Sequence, residues 1–135
     1  MIEEIEFISP QQAEHDLVVA ARVEQLGLIY EVKTNLNGIK RTDVDELYPD
    51  IIVIDKNGEI IFFEEIETES TITKDQRDVK WKRYSALECS FNLIVPKSQA
   101  LKVRQLINGL FFNRLYYYKI TPIGIRFRQV NGITI

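Results

Sequence analysis

The 135-residue chain is 45% hydrophobic and 27% charged with a net charge of −3, which is the balance of an ordinary globular protein of one domain. This composition excludes a disordered chain, and no stretch approaches the roughly 20 apolar residues of a membrane span. A single cysteine, Cys89, and a single histidine, His15, exclude an internal disulfide and a Cys/His zinc site.

The N-terminal segment predicts one helix. Residues 1–7 mix Ile with Glu and lack the basic start and apolar run of a signal peptide, so we predict a cytoplasmic protein. Ser9 and Pro10 form an N-cap followed by proline at the first helical position, and Gly27 is a stop signal. We therefore expect a helix over about residues 10–26.

Three strands are predicted next. Residues 28–34 have the β-branched and aromatic composition of a strand, and a polar connection runs from there through Asn37-Gly38 to Glu46. Residues 51–55 and 59–68 are apolar runs separated by Asn57-Gly58, which is the strongest short-range signal for a hairpin.

The second half of the chain alternates helices and strands. Residues 74–88 predict a helix with Trp81, Tyr84 and Leu87 on one side, and residues 91–95 predict a short buried strand. Ser98 is expected to cap a further helix that fades near Gly109 or Asn113. The predicted final hairpin pairs residues 115–121 with residues 124–130.

This order of elements, α, β, β, β, α, β, α, β, β, predicts the α/β class, with helices packed against a mixed sheet. We expect one domain over residues 1–135, with a core at about 10–113 and a C-terminal β-hairpin at about 115–130.

The hairpin predicts a cluster of acids. A two-residue loop at Asn57-Gly58 pairs residues whose numbers sum to 115, which places Ile54 opposite Ile61, Ile52 opposite Phe63 and Asp50 opposite Glu65. Because side chains alternate between the two faces of a strand, Glu67 and Glu69 share the face of Glu65. Glu64 and Ile66 point to the other face.

Clustered carboxylates repel one another, and a bound Mg²⁺ or Mn²⁺ would offset the repulsion because these ions prefer carboxylate oxygens. The alternative is a solvent-exposed hairpin end whose acids are merely hydrated.

Tyr48-Pro49-Asp50 followed, across the hairpin, by Glu65-Ile66-Glu67 resembles the motif of the PD-(D/E)XK nuclease superfamily, with Glu67 in place of the motif Lys. The resemblance implies a restriction endonuclease-like αβββαβ core and hydrolysis of phosphodiester bonds. It implies that Asp50 and Glu65 ligate Mg²⁺ or Mn²⁺, and that Glu67 positions or deprotonates the attacking water.

The missing lysine has two candidate replacements on the following helix. Lys80 and Tyr84 resemble the Gln-x-x-x-Tyr element of recombination-type nucleases, with Lys80 at the Gln position. Helical angles place Lys80 on the inner stripe and Lys82 further round, so we rank Lys80 first as the group that stabilises charge on phosphorus. Glu14 is a further candidate ligand, and His15 is expected to be a partly buried structural residue.

The charge of the chain is unevenly distributed. Residues 1–73 contain 5 Lys and Arg against 17 Asp and Glu, whereas residues 74–135 contain 12 against 3. A basic half attracts polyanions locally, although the two halves can also neutralise each other. We predict that Lys74, Arg77 and Arg83 bind nucleic acid.

Three hypotheses follow. The first is a metal-dependent nuclease that acts on nucleic acid, with DNA as the expected substrate and no membrane partner. The second is a catalytically inactive nuclease-like module that binds nucleic acid or a protein. The third is a small interaction domain whose acidic hairpin end is incidental. Self-association as a homodimer is left open.

Overall fold

A computed structural model describes residues 9–35, 47–87, 89–110 and 112–130. The N-terminal residues 1–7 and the predicted connection through Asn37-Gly38 to Glu46 lie outside these ranges. In the described part of the chain, no helix is long and apolar enough to cross a lipid bilayer.

The first helix, α1 (Pro10–Leu26), has the predicted bounds. The Ser9 hydroxyl accepts a hydrogen bond from the backbone N–H of Gln12, which satisfies one of the free amides at the start of the helix. Gly27 follows as the C-cap, and its N–H donates to the carbonyl of Val23.

Six strands form one mixed sheet in the order β1-β2-β3-β4-β5-β6. The β3–β4 and β4–β5 pairs are parallel, and the other pairs are antiparallel. The α/β class and the mixed sheet are therefore confirmed, and the predicted C-terminal hairpin extends the same sheet as its last two strands. The strands are β1 (Glu31–Thr34), β2 (Ile51–Ile54), β3 (Ile60–Ile66), β4 (Ser90–Pro96), β5 (Arg114–Thr121) and β6 (Gly124–Gln129).

The turn between β2 and β3 differs from the predicted two-residue loop. The N–H of Asp55 donates to the carbonyl of Glu59, and Gly58 has φ +80°, so three residues form the loop and the last of them is in the left-handed region. Ile54 consequently pairs with Ile60, and the predicted pairing of Ile54 with Ile61 is wrong.

A β-bulge then restores the predicted register. The pairing shifts by one residue between Val53 and Ile54, so that Val53 pairs with Phe62 and Ile52 pairs with Phe63, as predicted. The longer loop and the bulge compensate each other, and the acids therefore keep their expected faces.

The segment at residues 74–85 is helical, as predicted, but it is not one regular helix. It consists of α2 (Lys74–Gln76), a π-helical turn (Arg77–Trp81) and α3 (Lys82–Ser85). The last helix, α4 (Ala100–Leu106), follows a 3-10 turn at Lys97–Gln99. Ser98 lies inside that turn, and no side chain caps it, so the predicted Ser98 cap is wrong.

Each face of the sheet packs against helices. On one face, Val18 and Val19 of α1 are buried with Ile51, Val53 and Ile66. On the other face, helices α3 and α4 and the π turn cover a second core that includes stacked aromatic rings. The largest side chains of that core are Phe63, Trp81, Tyr84 and Phe91.

Candidate acidic site

Asp50 and Glu65 lie side by side at the end of β2 and β3. The backbone N–H of Asp50 donates to Glu65 Oε1 over 3.1 Å, and the N–H of Ile66 donates to Asp50 Oδ2 over 2.8 Å. Glu65 is completely buried, and Asp50 is 8% exposed. The sheet therefore brings together the two acids that the sequence assigned to metal binding.

Lys80 reaches this pair from the π-helical turn. Its ammonium nitrogen lies 2.9 Å from Glu65 Oε2, and its side chain is 36% exposed. Burial and the charge of Glu65 raise the pKa of the Tyr84 hydroxyl, which lies one turn further along. Such π turns occur frequently at functional sites, and this one places both Lys80 and Trp81 against the sheet.

Lys82, the second candidate, is not part of the cluster. Its side chain is 54% exposed, and its ammonium lies 3.9 Å from Asp78 on the outer side of the segment. The predicted ranking of Lys80 above Lys82 therefore agrees with the positions of the two side chains. The position of Lys82 does not support a catalytic role for it.

Glu67 lies next to the pair, but neutral donors hold its carboxylate. Trp81 Nε1 donates to Glu67 Oε1 over 3.1 Å, and Gln76 Nε2 contacts both oxygens at 3.0 and 3.2 Å. Glu67 is 2% exposed. In this arrangement Glu67 fixes the helical segment to the end of β3, and it also lines a groove shared with Lys80. Glu69, expected on the same face, begins an exposed 3-10 turn.

The contact that His15 makes with the site was not predicted from the sequence. Its Nε2 lies 3.0 Å from Asp50 Oδ1, and its Nδ1 lies 3.1 Å from Asp16 Oδ1. The signal was its position one turn before the buried Val19, which indicated an inward-facing side chain but not a partner.

Glu14, the other candidate on α1, accepts a hydrogen bond from the Tyr118 hydroxyl over 2.8 Å. Since this contact directs its carboxylate to β5, Glu14 is not part of the acid cluster.

The electrostatics of the site follow from packing three acids against two cationic groups. Burial, followed by the charge of Asp50, raises the pKa of Glu65, and the charge of Lys80 opposes this rise. Burial alone would lower the pKa of His15, but the hydrogen bond to Asp50 and the charge of that carboxylate outweigh it and raise the pKa to about 9. The pKa of Lys80 is likewise raised, because the charges of Glu65, Glu67 and Asp50 outweigh burial. The cluster therefore holds protonated His15 and Lys80 at neutral pH.

The chemistry of the acids fits a hard divalent cation, because carboxylate oxygens are the ligands that Mg²⁺ and Mn²⁺ prefer. Each oxygen of Asp50, Glu65 and Glu67, however, already contacts a protein donor or cation. Within the described ranges, no group of three or more His, Cys, Asp or Glu side chains is arranged to hold a metal ion. A cation bound between Asp50 and Glu65 would have to replace the positive charge of Lys80 or His15.

A groove of about 350 Å³ opens beside the cluster. It lies between the start of α1, the end of β3 and the helical segment, and both Lys80 and His15 line it. A ligand in this groove would therefore contact the two cationic members of the cluster.

Glu64 points to the opposite face, as predicted. Arg22 of α1 donates to both of its oxygens, from Nε over 2.8 Å and from Nη2 over 2.9 Å, and Asn92 donates to Oε2 over 2.9 Å. The buried pair of Arg22 and Glu64 holds α1 against the sheet and thereby positions His15.

The three residues predicted to bind nucleic acid differ in their surroundings. Arg77 donates to the backbone carbonyls of Leu106 and Asn108 at the end of α4 and pairs with Asp78 at 2.8 Å, so it ties two helical segments together. Lys74 and Arg83 are exposed. Arg77 is therefore held by contacts within the protein, and its binding to nucleic acid stays a prediction.

No family model matches the chain, and neither the curated proteins nor the solved structures include a significant match.

Proposed function

We propose that the chain is a metal-dependent nuclease that hydrolyses phosphodiester bonds in nucleic acid at the Asp50–Glu65 cluster. The observation that carries the proposal is the ion pair between Lys80 and Glu65 beside Asp50. Two carboxylates at the ends of adjacent strands can hold a divalent cation, and an amine beside them can stabilise charge on a phosphodiester.

The order of elements supports the same proposal. Helix α1, strands β1, β2 and β3, the helical segment and strand β4 follow one another as in the αβββαβ core that the PD-(D/E)XK resemblance implies. In such a core Asp50 and Glu65 would take the two acidic positions. Lys80, from the helical segment, would take the role of the motif lysine that Glu67 replaces in this sequence.

Asp50 and Glu65 would hold the Mg²⁺ or Mn²⁺, which supplies Lewis acidity to the phosphate and a lowered pKa to a bound water. Lys80 stays protonated, because the charges of Glu65, Glu67 and Asp50 outweigh burial and raise its pKa. Lys80 lines the adjoining groove, where its ammonium would contact a phosphate oxygen of the substrate. His15 then orients Asp50 through its Oδ1.

The second candidate function is a catalytically inactive module that binds nucleic acid or a protein. The observation that favours it is that Lys80 pairs with Glu65 and His15 pairs with Asp50 without a metal. Glu67 also points towards it, because Gln76 and Trp81 bond to its carboxylate.

Calorimetric titration with Mn²⁺ separates these candidates when it is combined with a cleavage assay. The nuclease proposal expects one binding event in the native protein, its loss in Glu65→Gln, and cleavage of labelled DNA only with metal. The matched control is Glu69→Gln, an exposed acid near the cluster, which should bind Mn²⁺ as the native protein does. Nucleic-acid binding without Mn²⁺ binding or cleavage would establish the inactive module instead.

A further inference from the structure

The C-terminal part of the chain carries positive charge alone. No Asp or Glu follows Glu88, whereas seven Lys and Arg residues do. Strands β5 and β6 contribute four of the seven, Arg114, Lys119, Arg126 and Arg128. Because no acid alternates with them in sequence, this hairpin creates a positive potential that favours an anionic partner.

The strand register concentrates three of these cations on one face. Arg128 pairs with Tyr117, and Arg126 pairs with Lys119, so these four side chains share a face, defined here as the basic face. The alternate residues Tyr118 and Phe127 belong to the core beneath α1. The basic face is therefore on the side of the sheet away from α1.

The cations of the basic face are unpaired. Lys119, Arg126 and Arg128 are exposed, and among the described residues none of the three has an ion-pair partner. Lys119 lies directly opposite Arg126, and like charges in that arrangement destabilise a sheet. Lys97 adds a further positive charge, with its ammonium 5.6 Å from the centre of the Tyr117 ring.

A larger groove has lining residues in common with both regions. It has a volume of about 990 Å³, and its lining includes Lys97 and Lys119 together with the acids Glu14 and Glu69. Thr68 belongs both to this groove and to the smaller groove that contains Lys80. The basic face is on β5 and β6, two and three interstrand spacings from β3, and Lys119 lies four residues along β5 from Leu115, which is level with Glu65. The basic face is therefore roughly 16 Å from Glu65.

We propose that the basic face binds the sugar–phosphate backbone of a nucleic acid whose neighbouring phosphodiester lies at the Asp50–Glu65 cluster. The location of the reacting bond rests on the proposed function, whereas backbone binding by Lys119, Arg126 and Arg128 does not require catalysis. The principal docking surface is thus the C-terminal hairpin rather than the helical segment with Lys74 and Arg83.

Fluorescence anisotropy of labelled DNA, as duplex and as single strand, tests this inference in EDTA. The triple variant Lys119→Glu/Arg126→Glu/Arg128→Glu should lose about tenfold or more in affinity, and its log–log salt slope should fall by about 0.9 per lost duplex contact. The control Lys33→Glu/Lys56→Glu/Lys102→Glu makes the same change in net charge at exposed positions on other elements, and it should bind nearly as the native protein does.

Several outcomes would overturn the inference. One is an equal loss of affinity in the two triple variants. Another is a larger loss of affinity in Lys74→Glu/Arg83→Glu than in the basic-face variant, and a third is no binding of DNA or RNA by the native protein. Tighter binding of phosphatidylserine vesicles than of nucleic acid would identify a membrane surface instead. If charge reversal prevents folding, as judged by circular dichroism, the Gln variants of the same three residues provide the measurement. Native protein that binds through this face but never cleaves with Mn²⁺ would refute the proposed function and leave the inference standing.

Discussion

The ammonium of Lys80 lies 2.9 Å from Glu65 Oε2, and this contact joins the helical segment to the completely buried acid of β3. A fully buried carboxylate destabilises the folded protein unless it is paired. Here the partner is Lys80, which comes from a turn whose π-helical geometry directs the lysine side chain inward. Glu65 and Asp50 are therefore already paired with cationic side chains of the protein itself, and their variants should lose these ion pairs.

Replacing Lys80 with Met should destabilise the protein by about 1–3 kcal/mol, because Glu65 is left buried without its partner. The loss is smaller than for a fully buried pair, since Lys80 is 36% exposed and Glu65 can take up a proton. Urea denaturation measures the change. Lys82→Met, at an exposed position, should change stability by less than about 0.5 kcal/mol and leave cleavage intact. Equal effects of the two substitutions would show that Lys80 has no special role.

Mn²⁺ should raise the melting temperature of the native protein, because an ion that binds only the folded state stabilises it by about 2.7 kcal/mol at a hundredfold excess over Kd. The rise should vanish in Asp50→Asn and Glu65→Gln. Without metal, both variants should be less stable than the native protein, because each substitution removes a carboxylate that pairs with His15 or Lys80. Variants as stable as the native protein in EDTA would mean that repulsion among the acids dominates instead.

His15 is the single histidine of the chain, so its titration can be followed directly by proton NMR. In metal-free protein its pKa should be about 9 rather than 6.5, and Asp50→Asn should lower it. Because the folded-state pKa is raised, the stability contributed by His15 is complete below pH 6.5 and is lost as pH rises through about 9. The stability difference between native protein and His15→Gln should shrink over that range. A midpoint near 6.5 in the folded protein would exclude the contact with Asp50.

Arg22→Met should cost about 3–5 kcal/mol, since it leaves Glu64 buried and charged beneath α1. The double variant Arg22→Met/Glu64→Gln should recover part of the loss, because no buried charge is left unpaired. Chemical denaturation of the native protein, the single variants Arg22→Met and Glu64→Gln and the double variant measures the coupling free energy between the two side chains. Additive losses would indicate that the pair contributes little to the packing of α1.

Local sequence signals predicted the elements well where they were unambiguous. The Ser9-Pro10 start of α1 and its stop at Gly27 are set by capping chemistry, and both are as predicted. The hairpin register at Asp50 and Glu65 was predicted from a loop of the wrong length. The loop has three residues, and only the bulge between Val53 and Ile54 returns Asp50 and Glu65 to their expected faces.

Contacts between distant elements were harder to predict. The pairing of His15 with Asp50 depends on how α1 crosses the sheet, and the bonds from Gln76 and Trp81 to Glu67 depend on the π turn. Helical periodicity gave the face on which a residue lies, but it did not identify its partner. The same limit explains Arg77, whose bonds to the end of α4 follow from tertiary packing.

Anomalous diffraction from a Mn²⁺-soaked crystal tests the central claim most directly. The proposed nuclease site predicts a manganese peak between the carboxylates of Asp50 and Glu65, with the Lys80 ammonium displaced from Glu65 towards the groove. No peak at saturating Mn²⁺, with Lys80 still 2.9 Å from Glu65 and His15 still bonded to Asp50, would contradict it and identify the cluster as a metal-free ion-pair network.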